Sequence, residues 1–191
     1  MAMKIERAAD TKVVKAIIQR VADIPNGVTV CVAELGGPAL KEGTPLVYAS
    51  ADGMYHVSKT AKIVTAAAVD ATTYEVAKGS HFKVGEYFAT EGANGQAITA
   101  IDKTTNSDKD VVTLGTTLGV IVAANVVAFQ STGVNKTIKN APTAIAGSNY
   151  DVVASDNLFC DAWVIATVRT GNAPAVNATV TATLKGIHYI A

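Results

Sequence analysis

The chain has 191 residues with 16 basic and 16 acidic side chains, so its formal charge is zero and no whole-molecule field draws it toward a phosphate backbone or an anionic membrane. Nearly half of the residues are hydrophobic (49%), and a chain of this length buries roughly 70% of the surface its unfolded form exposes, so no disulfide is needed. Cys31 and Cys160 lie far apart and in no metal-binding spacing, which points to two reduced, buried thiols and to cytosolic synthesis. Neutral charge with so much apolar surface resists association poorly, and the composition reads as that of a protein that assembles.

The first residues mix Lys4, Glu6 and Arg7 where a signal peptide would carry its apolar core, so export by that route is not expected. Residues 10–22 place Val14, Ile17, Ile18 and Val21 at helical spacing, with Thr11 or Asp10 able to cap the start. The competing reading is an extended arm over residues 13–21, rich in β-branched residues and ordered only against a partner. Pro25-Asn26-Gly27 ends either one. Residues 28–32 and 46–49 then alternate with period two, separated by the Gly36-Gly37-Pro38 loop, and Asp52-Gly53 suits a tight hairpin turn into Met54-Tyr55-His56-Val57.

Further strands are expected where Tyr74 and Val76 oppose Glu75 and Ala77, a pattern that Phe82 and Val84 continue past the Lys78-Gly79-Ser80 turn. After the Glu91 to Gly95 turn, the odd spacing of Ile98 and Ile101 suggests a bulge near Thr99 or Ala100. Asp110-Val111-Val112-Thr113-Leu114 adds a strand, and residues 120–129 close a barrel; that apolar run holds Asn125 and is well short of the ~20 residues that span a bilayer as a helix. Residues 130–149 read as a polar linker. Residues 161–170 are apolar on both faces, with Trp163 and Ile165 on one and Ala162, Val164, Ala166 and Val168 on the other, so both faces should be covered. A clean alternation over residues 176–184 suggests its hairpin partner across Gly171-Asn172-Ala173-Pro174, and Gly186 permits a kink before Ile187-His188-Tyr189-Ile190. The expected fold is mainly β: a small β-barrel or sandwich over residues 25–133, an N-terminal helix or arm over 1–24, and a linker with an oligomerising C-terminal β-hairpin over 134–191.

Chemistry is thinly signalled. His56, His81 and His188 share no ligand spacing, and Asp102, Asp108 and Asp110 lack the calcium-loop pattern and read as a solvated hairpin tip. Ser58 and Ser107 sit in no nucleophile elbow, no glycine-rich phosphate loop occurs, and Glu86 with Glu91 could act as a carboxylate pair only if the fold brought them together. Aromatic residues at 6% leave little for a stacking platform. No catalytic, cofactor or metal residue is assigned, and no cofactor is expected.

Gly43-Thr44-Pro45 through Asp52-Gly53-Met54-Tyr55-His56-Val57, with Phe82-Lys83-Val84-Gly85-Glu86, Ala97-Ile98-Thr99-Ala100-Ile101-Asp102 and Thr117-Leu118-Gly119, resembles the head fibre and capsid decoration proteins of tailed bacteriophages. The closing Leu184-Lys185-Gly186-Ile187-His188-Tyr189-Ile190 is similar to the ends of head fibre proteins from phages and prophages of gut Bacteroides-type bacteria. The resemblance implies a non-enzymatic, all-β auxiliary capsid protein on the outer surface of the virion, made in the host bacterial cytoplasm. Its implied partners are the major capsid protein, other head fibre proteins and further copies of itself, a trimer by preference, with neither nucleic acid nor membrane. On this reading Ala162, Trp163, Val164, Ile165, Ala166, Val168, Ile187 and Tyr189 form the oligomer interface, and Val14, Ile17, Ile18 and Val21 the arm that touches the capsid. The alternative is a glycan-binding or host-adhesion module attached to the virion. A flat apolar edge would favour assembly; aromatic and acidic side chains around a concave groove would favour the glycan module.

Overall fold

The computed structural model describes residues 14–154 and 156–191, which form two large antiparallel-dominated sheets, one two-stranded sheet and one short helix. The expected mainly-β architecture is what the chain adopts. The larger sheet runs in the order β1 (Ile17–Asp23), β15 (Ala162–Arg169), β12 (Ala144–Ala146), β4 (Pro45–Ala49), β5 (Met54–Val57), β2 (Val28–Val30), β14 (Leu158–Cys160), and β16 (Ile187–Ile190) also pairs with β15. The second sheet runs β6 (Thr60–Lys62), β11 (Val127–Ser131), β8 (Tyr87–Thr90), β9 (Ala93–Asp102), β10 (Lys109–Leu114), β7 (Thr73–Ala77). Its two ends meet where Ile63 bridges Val76 and the Val64 N–H donates to the Glu75 carbonyl at 2.9 Å, which closes the sheet into a small barrel. Strands β3 (Ala39–Leu40) and β13 (Tyr150–Asp151) form the small sheet.

The barrel fills as alternation dictates. Tyr74 and Val76 of β7 and Val112 and Leu114 of β10 point inward with Phe82, Phe88 and Ile98, all buried. Phe88 packs 5.3 Å from Phe82 and 5.7 Å from Tyr74 between ring centroids, and each such fully buried side chain contributes about 1.5–3 kcal/mol. Tyr74 also donates its hydroxyl to the Ala71 carbonyl at 2.9 Å, so its polar tip is satisfied in the core. The expected bulge is present: Thr113 faces Ala100 and Leu114 faces Ile98, leaving Thr99 as the extra residue. Phe82 is buried and Val84 is 61% exposed, but both lie outside any strand, so the predicted continuation of the strand pattern past Lys78-Gly79-Ser80 does not occur and β7 ends at Ala77. Of the apolar run 120–129, only residues from Val127 onward form the strand.

The sheets partition the chain differently from the expected division at residues 24 and 133. Residues 28–57 pair with the C-terminal strands, and the barrel, residues 60–131, sits between β5 and β12 of the larger sheet. The predicted linker 130–149 contains β12, whose Ala144, Ile145 and Ala146 are fully buried at the centre of that sheet. Three residues are too few to show a period, which is why the strand is silent in the sequence.

The predicted N-terminal helix is overturned for its described part, since residues 17–23 form β1, antiparallel to β15 from Ile17 opposite Val168 to Asp23 opposite Trp163. The β-branched residues there favour a pleated surface, and pairing with β15 of the same chain overrides the helical spacing. Residues 10–13 of that expectation lie outside the described residues. The predicted C-terminal hairpin is overturned as well. Residues 176–184 hold α1 (Ala178–Thr181), whose N-cap Asn177 accepts the Val180 N–H at 3.0 Å, and the chain crosses over to lay β16 parallel to β15. Val176, Val180 and Leu184 recur at intervals of four, a spacing that fits period two and a helix face equally, and Val180 and Leu184 are buried on the helix side. Gly186 approaches β15 so closely that a Cβ there would stand 2.2 Å from the Val164 carbonyl oxygen.

Candidate functional site

Three features have functional potential: the β1 edge, a cavity between barrel and sheet, and a cluster beside the β4–β5 hairpin. At the edge, β1 is the last strand of the larger sheet among the described residues, and its register with β15 slips three times, the first two slips leaving Ile18 and Val21 as extra, bulged residues. Both are exposed, at 45% and 60%, and Val14 is 58% exposed just before the strand. Ile17 is instead buried among Val168, Val180 and Leu184, so the arm predicted from four residues presents three. Arg20 holds the strand down: its guanidinium donates to Glu42 Oε1 at 2.9 Å and to the Gly147 carbonyl at 2.6 Å, and stands 5.3 Å over the Trp163 ring. Glu42 in turn accepts the Ala16 N–H at 2.7 Å.

The predicted oligomer interface is largely internal. Ala162, Ala166, Val168 and Ile187 are buried within the chain's own core, and Trp163 and Val164 are half-buried. The register moves from Trp163 to Ile165 on β15 while β1 moves one residue, so Val164 is an extra residue there and Trp163 packs with Ala166 and Val168, not opposite them as simple alternation predicts. The Trp163 indole donates to Asp161 Oδ2 at 3.3 Å, and the Tyr150 hydroxyl donates to Asp161 Oδ1 at 2.7 Å. Burial works to raise the Asp161 carboxyl, but these hydrogen bonds, with that of Ser148, outweigh it and hold the group below its ordinary range. Ile165, 44% exposed, is the member of the predicted set that faces solvent beside β1.

Between β6, β7 and the loop of residues 170–176 lies a cavity of about 630 Å³. Among the described residues Lys41, Lys62, Lys78 and His81 contribute to its wall and no carboxylate does. Lys78 is engaged by the Lys103 and Asn106 carbonyls and by Asp110, so among the described residues Lys41 and Lys62 supply the charge of the wall that no carboxylate offsets. Burial, then the nearby Lys59 and Lys103, pull His81 down to about 4, which keeps the ring neutral. Ser58, Ser80 and Tyr189, all in the wall, have hydroxyl oxygens with no hydrogen-bond partner among the described residues, and burial pushes the Tyr189 phenol up. The wall is thus basic and hydroxyl-bearing, unlike the aromatic and acidic groove expected of a glycan module.

The third feature was not foreseen. Cys31, Asp52 and His56 bring one ligand atom each to within 4.8 Å of one another. His56 Nε2 lies 2.9 Å from Asp52 Oδ2, and its Nδ1 lies 2.9 Å from Glu34 Oε2. Burial works against charge on His56, but Glu34 and Asp52 prevail and raise its pKa; the Met54 N–H, first of several causes, holds the Asp52 carboxyl down. Asp52 and His56 stand four apart across a turn, whereas Cys31 and Glu34 come from the β2–β3 segment, so only the pairing of β2 with β5 could reveal the group.

The other sequence candidates stay separate. Glu86 pairs with Lys59, and Glu91 accepts the Thr179 N–H at 3.0 Å. Asp102 accepts the Thr104 and Thr105 N–H groups, while Asp110 is fully buried and accepts those of Gly79 and Ser80, so it is no solvated hairpin tip. Both cysteines are free and buried, and burial pushes the Cys160 thiol up to about 12. No protein-family profile, curated protein or solved structure matches this chain.

Proposed function

We propose that this is a virion structural protein, a head fibre or decoration protein bound to the outer surface of a major capsid shell, which it stabilises or on which it displays an adhesive surface. The observation that carries the reading is the apolar edge: Ile18 and Val21 are exposed on an edge strand and Val14 just before it, with Ile165 exposed on the strand beside it. A strand edge left open by the described residues offers backbone groups for pairing, and apolar side chains beside it add about 1.5–3 kcal/mol each when a partner covers them. That combination suits docking onto a protein lattice, and the role is non-enzymatic.

Self-association belongs to the same reading. With Ala162, Ala166, Val168 and Ile187 inside the core, it rests on Ile165 and the partly open Val164. The deciding experiment mixes the folded, purified protein with intact phage shells lacking it, followed by sedimentation and electron microscopy of the particles. Saturable co-sedimentation with density on the outer shell supports the proposal; a folded protein that stays in the supernatant overturns it. Retention on host-surface glycans without capsid binding would favour the adhesion module instead.

A further inference from the structure

We propose that Cys31, Asp52 and His56 form a binding site for a divalent transition metal ion, zinc above all, with Glu34 as the carboxylate that orients His56. The proposal stands apart from the capsid role and rests on geometry. A tetrahedral zinc site with bonds of about 2.0–2.3 Å sets its ligand atoms about 3.3–3.8 Å apart. Here the three ligand atoms already lie within 4.8 Å of one another, so closure takes a small inward shift at Cys31 and a slight widening of the 2.9 Å contact between Asp52 and His56.

The donors define the metal class. Thiolate, imidazole and carboxylate together suit a borderline ion such as zinc, whereas calcium and magnesium take oxygen ligands. The ligand-bearing segments are also fixed before any ion arrives. The Cys31 N–H donates to the Tyr55 carbonyl at 2.9 Å, tying the end of β2 to β5, and the Met54 N–H holds Asp52 Oδ1 at 3.0 Å, leaving Oδ2 toward His56. Lys59 donates to the Glu34 carbonyl at 2.5 Å and so anchors the segment that carries the orienting carboxylate.

Glu34 is the observation that points most specifically to a metal. Metal-bound histidines commonly donate their second ring N–H to a carboxylate, which fixes the tautomer and raises ligand basicity. With Nε2 on the ion, Nδ1–H would donate to Glu34 Oε2, the contact already made at 2.9 Å. Binding takes Cys31 as the thiolate, its proton going to solvent, with His56 Nε2 and an Asp52 carboxylate oxygen as the other protein donors, and water completes the coordination.

Cobalt(II) titrated into the full chain tests this, because a thiolate ligand produces a charge-transfer band and tetrahedral geometry an intense visible band. We expect both to saturate at one equivalent and to be lost on adding zinc. Cys31→Ser should abolish the charge-transfer band and Cys160→Ser should leave it. His56→Gln should weaken binding more than tenfold, and Glu34→Gln by about 10–100-fold with the thiolate band retained. Zinc should also slow alkylation of Cys31 in the wild-type protein, a readout that needs no variant to fold. A wild-type chain without the band, a band that survives Cys31→Ser, or alkylation indifferent to zinc overturns the site.

Discussion

Arg20 stands 5.3 Å over the ring of Trp163 while its guanidinium reaches Glu42 Oε1 at 2.9 Å, so one side chain joins the edge strand to both the strand beside it and the loop after β3. Arg20 is about a third exposed and Glu42 is nearly buried, so screening discounts the attraction but leaves the carboxylate costly to strand. Arg20→Ala should lower unfolding stability by about 1–3 kcal/mol in a urea titration. Arg20→Lys should recover part of it, because an ammonium cannot serve the Gly147 carbonyl and the Glu42 carboxylate while lying flat on the indole. Equal stability of all three chains would show that packing of β1 against β15 alone secures the edge.

Acid sensitivity should centre on His81. Burial holds its folded pKa near 4, against 6.5 when unfolded, so the unfolded chain binds the extra proton between those values and stability falls as pH drops through that window. The expected loss is on the order of 3 kcal/mol by pH 4. His56 works the other way: its folded pKa is raised, so its contribution is fully present below about 6.5 and fades as pH rises through the folded value. Thermal melts across pH 4–8 should therefore show His81→Asn flattening the acid limb and His56→Gln flattening the decline on the neutral side. An unchanged acid limb in His81→Asn would place the titrating group elsewhere.

The short helix should depend on its cap. Asn177 accepts the Val180 N–H at 3.0 Å, and its amide reaches the Val127 carbonyl at 3.5 Å, so it also touches the barrel. Asn177→Ala should cost about 1 kcal/mol, and Asn177→Asp, which keeps the accepting oxygen, should retain most of that stability. Urea titration of both variants separates a cap from a general polar contact, since a loss equal in both would assign the effect to the Val127 bond.

Which features could be read from the chain follows from how many residues carry each signal. The barrel was legible because Tyr74, Val76, Val112 and Leu114 alternate over strands long enough to show a period, and because the Ile98 and Ile101 spacing marks the Thr99 bulge. The segment around Val180 was not, since every-fourth apolar residues satisfy both periods and only the Asn177 cap decides between them. The bulge at Val164 was equally hidden, and it turned a supposed doubly apolar interface into core. The metal-ligating group was beyond sequence reasoning because Cys31 and His56 meet through the parallel pairing of Val30 with Tyr55.

The capsid proposal stands or falls on the edge strand. Ile18 and Val21 are bulged and exposed, so replacing either with Asp removes no core contact and should change folding stability by no more than about 0.5 kcal/mol. Each replacement removes apolar area from the proposed contact and would bury a charge there, so binding to shells lacking the protein should weaken at least about tenfold, which corresponds to 1.4 kcal/mol. Ile17→Asp is the contrasting variant: Ile17 is buried, so that chain should lose stability before it loses a partner. Titration of shells with each folded variant, read by co-sedimentation, distinguishes the surfaces. Full binding by an Ile18→Asp, Val21→Asp double variant would remove β1 from the contact and move the search to the opposite edge, where β14 exposes Phe159.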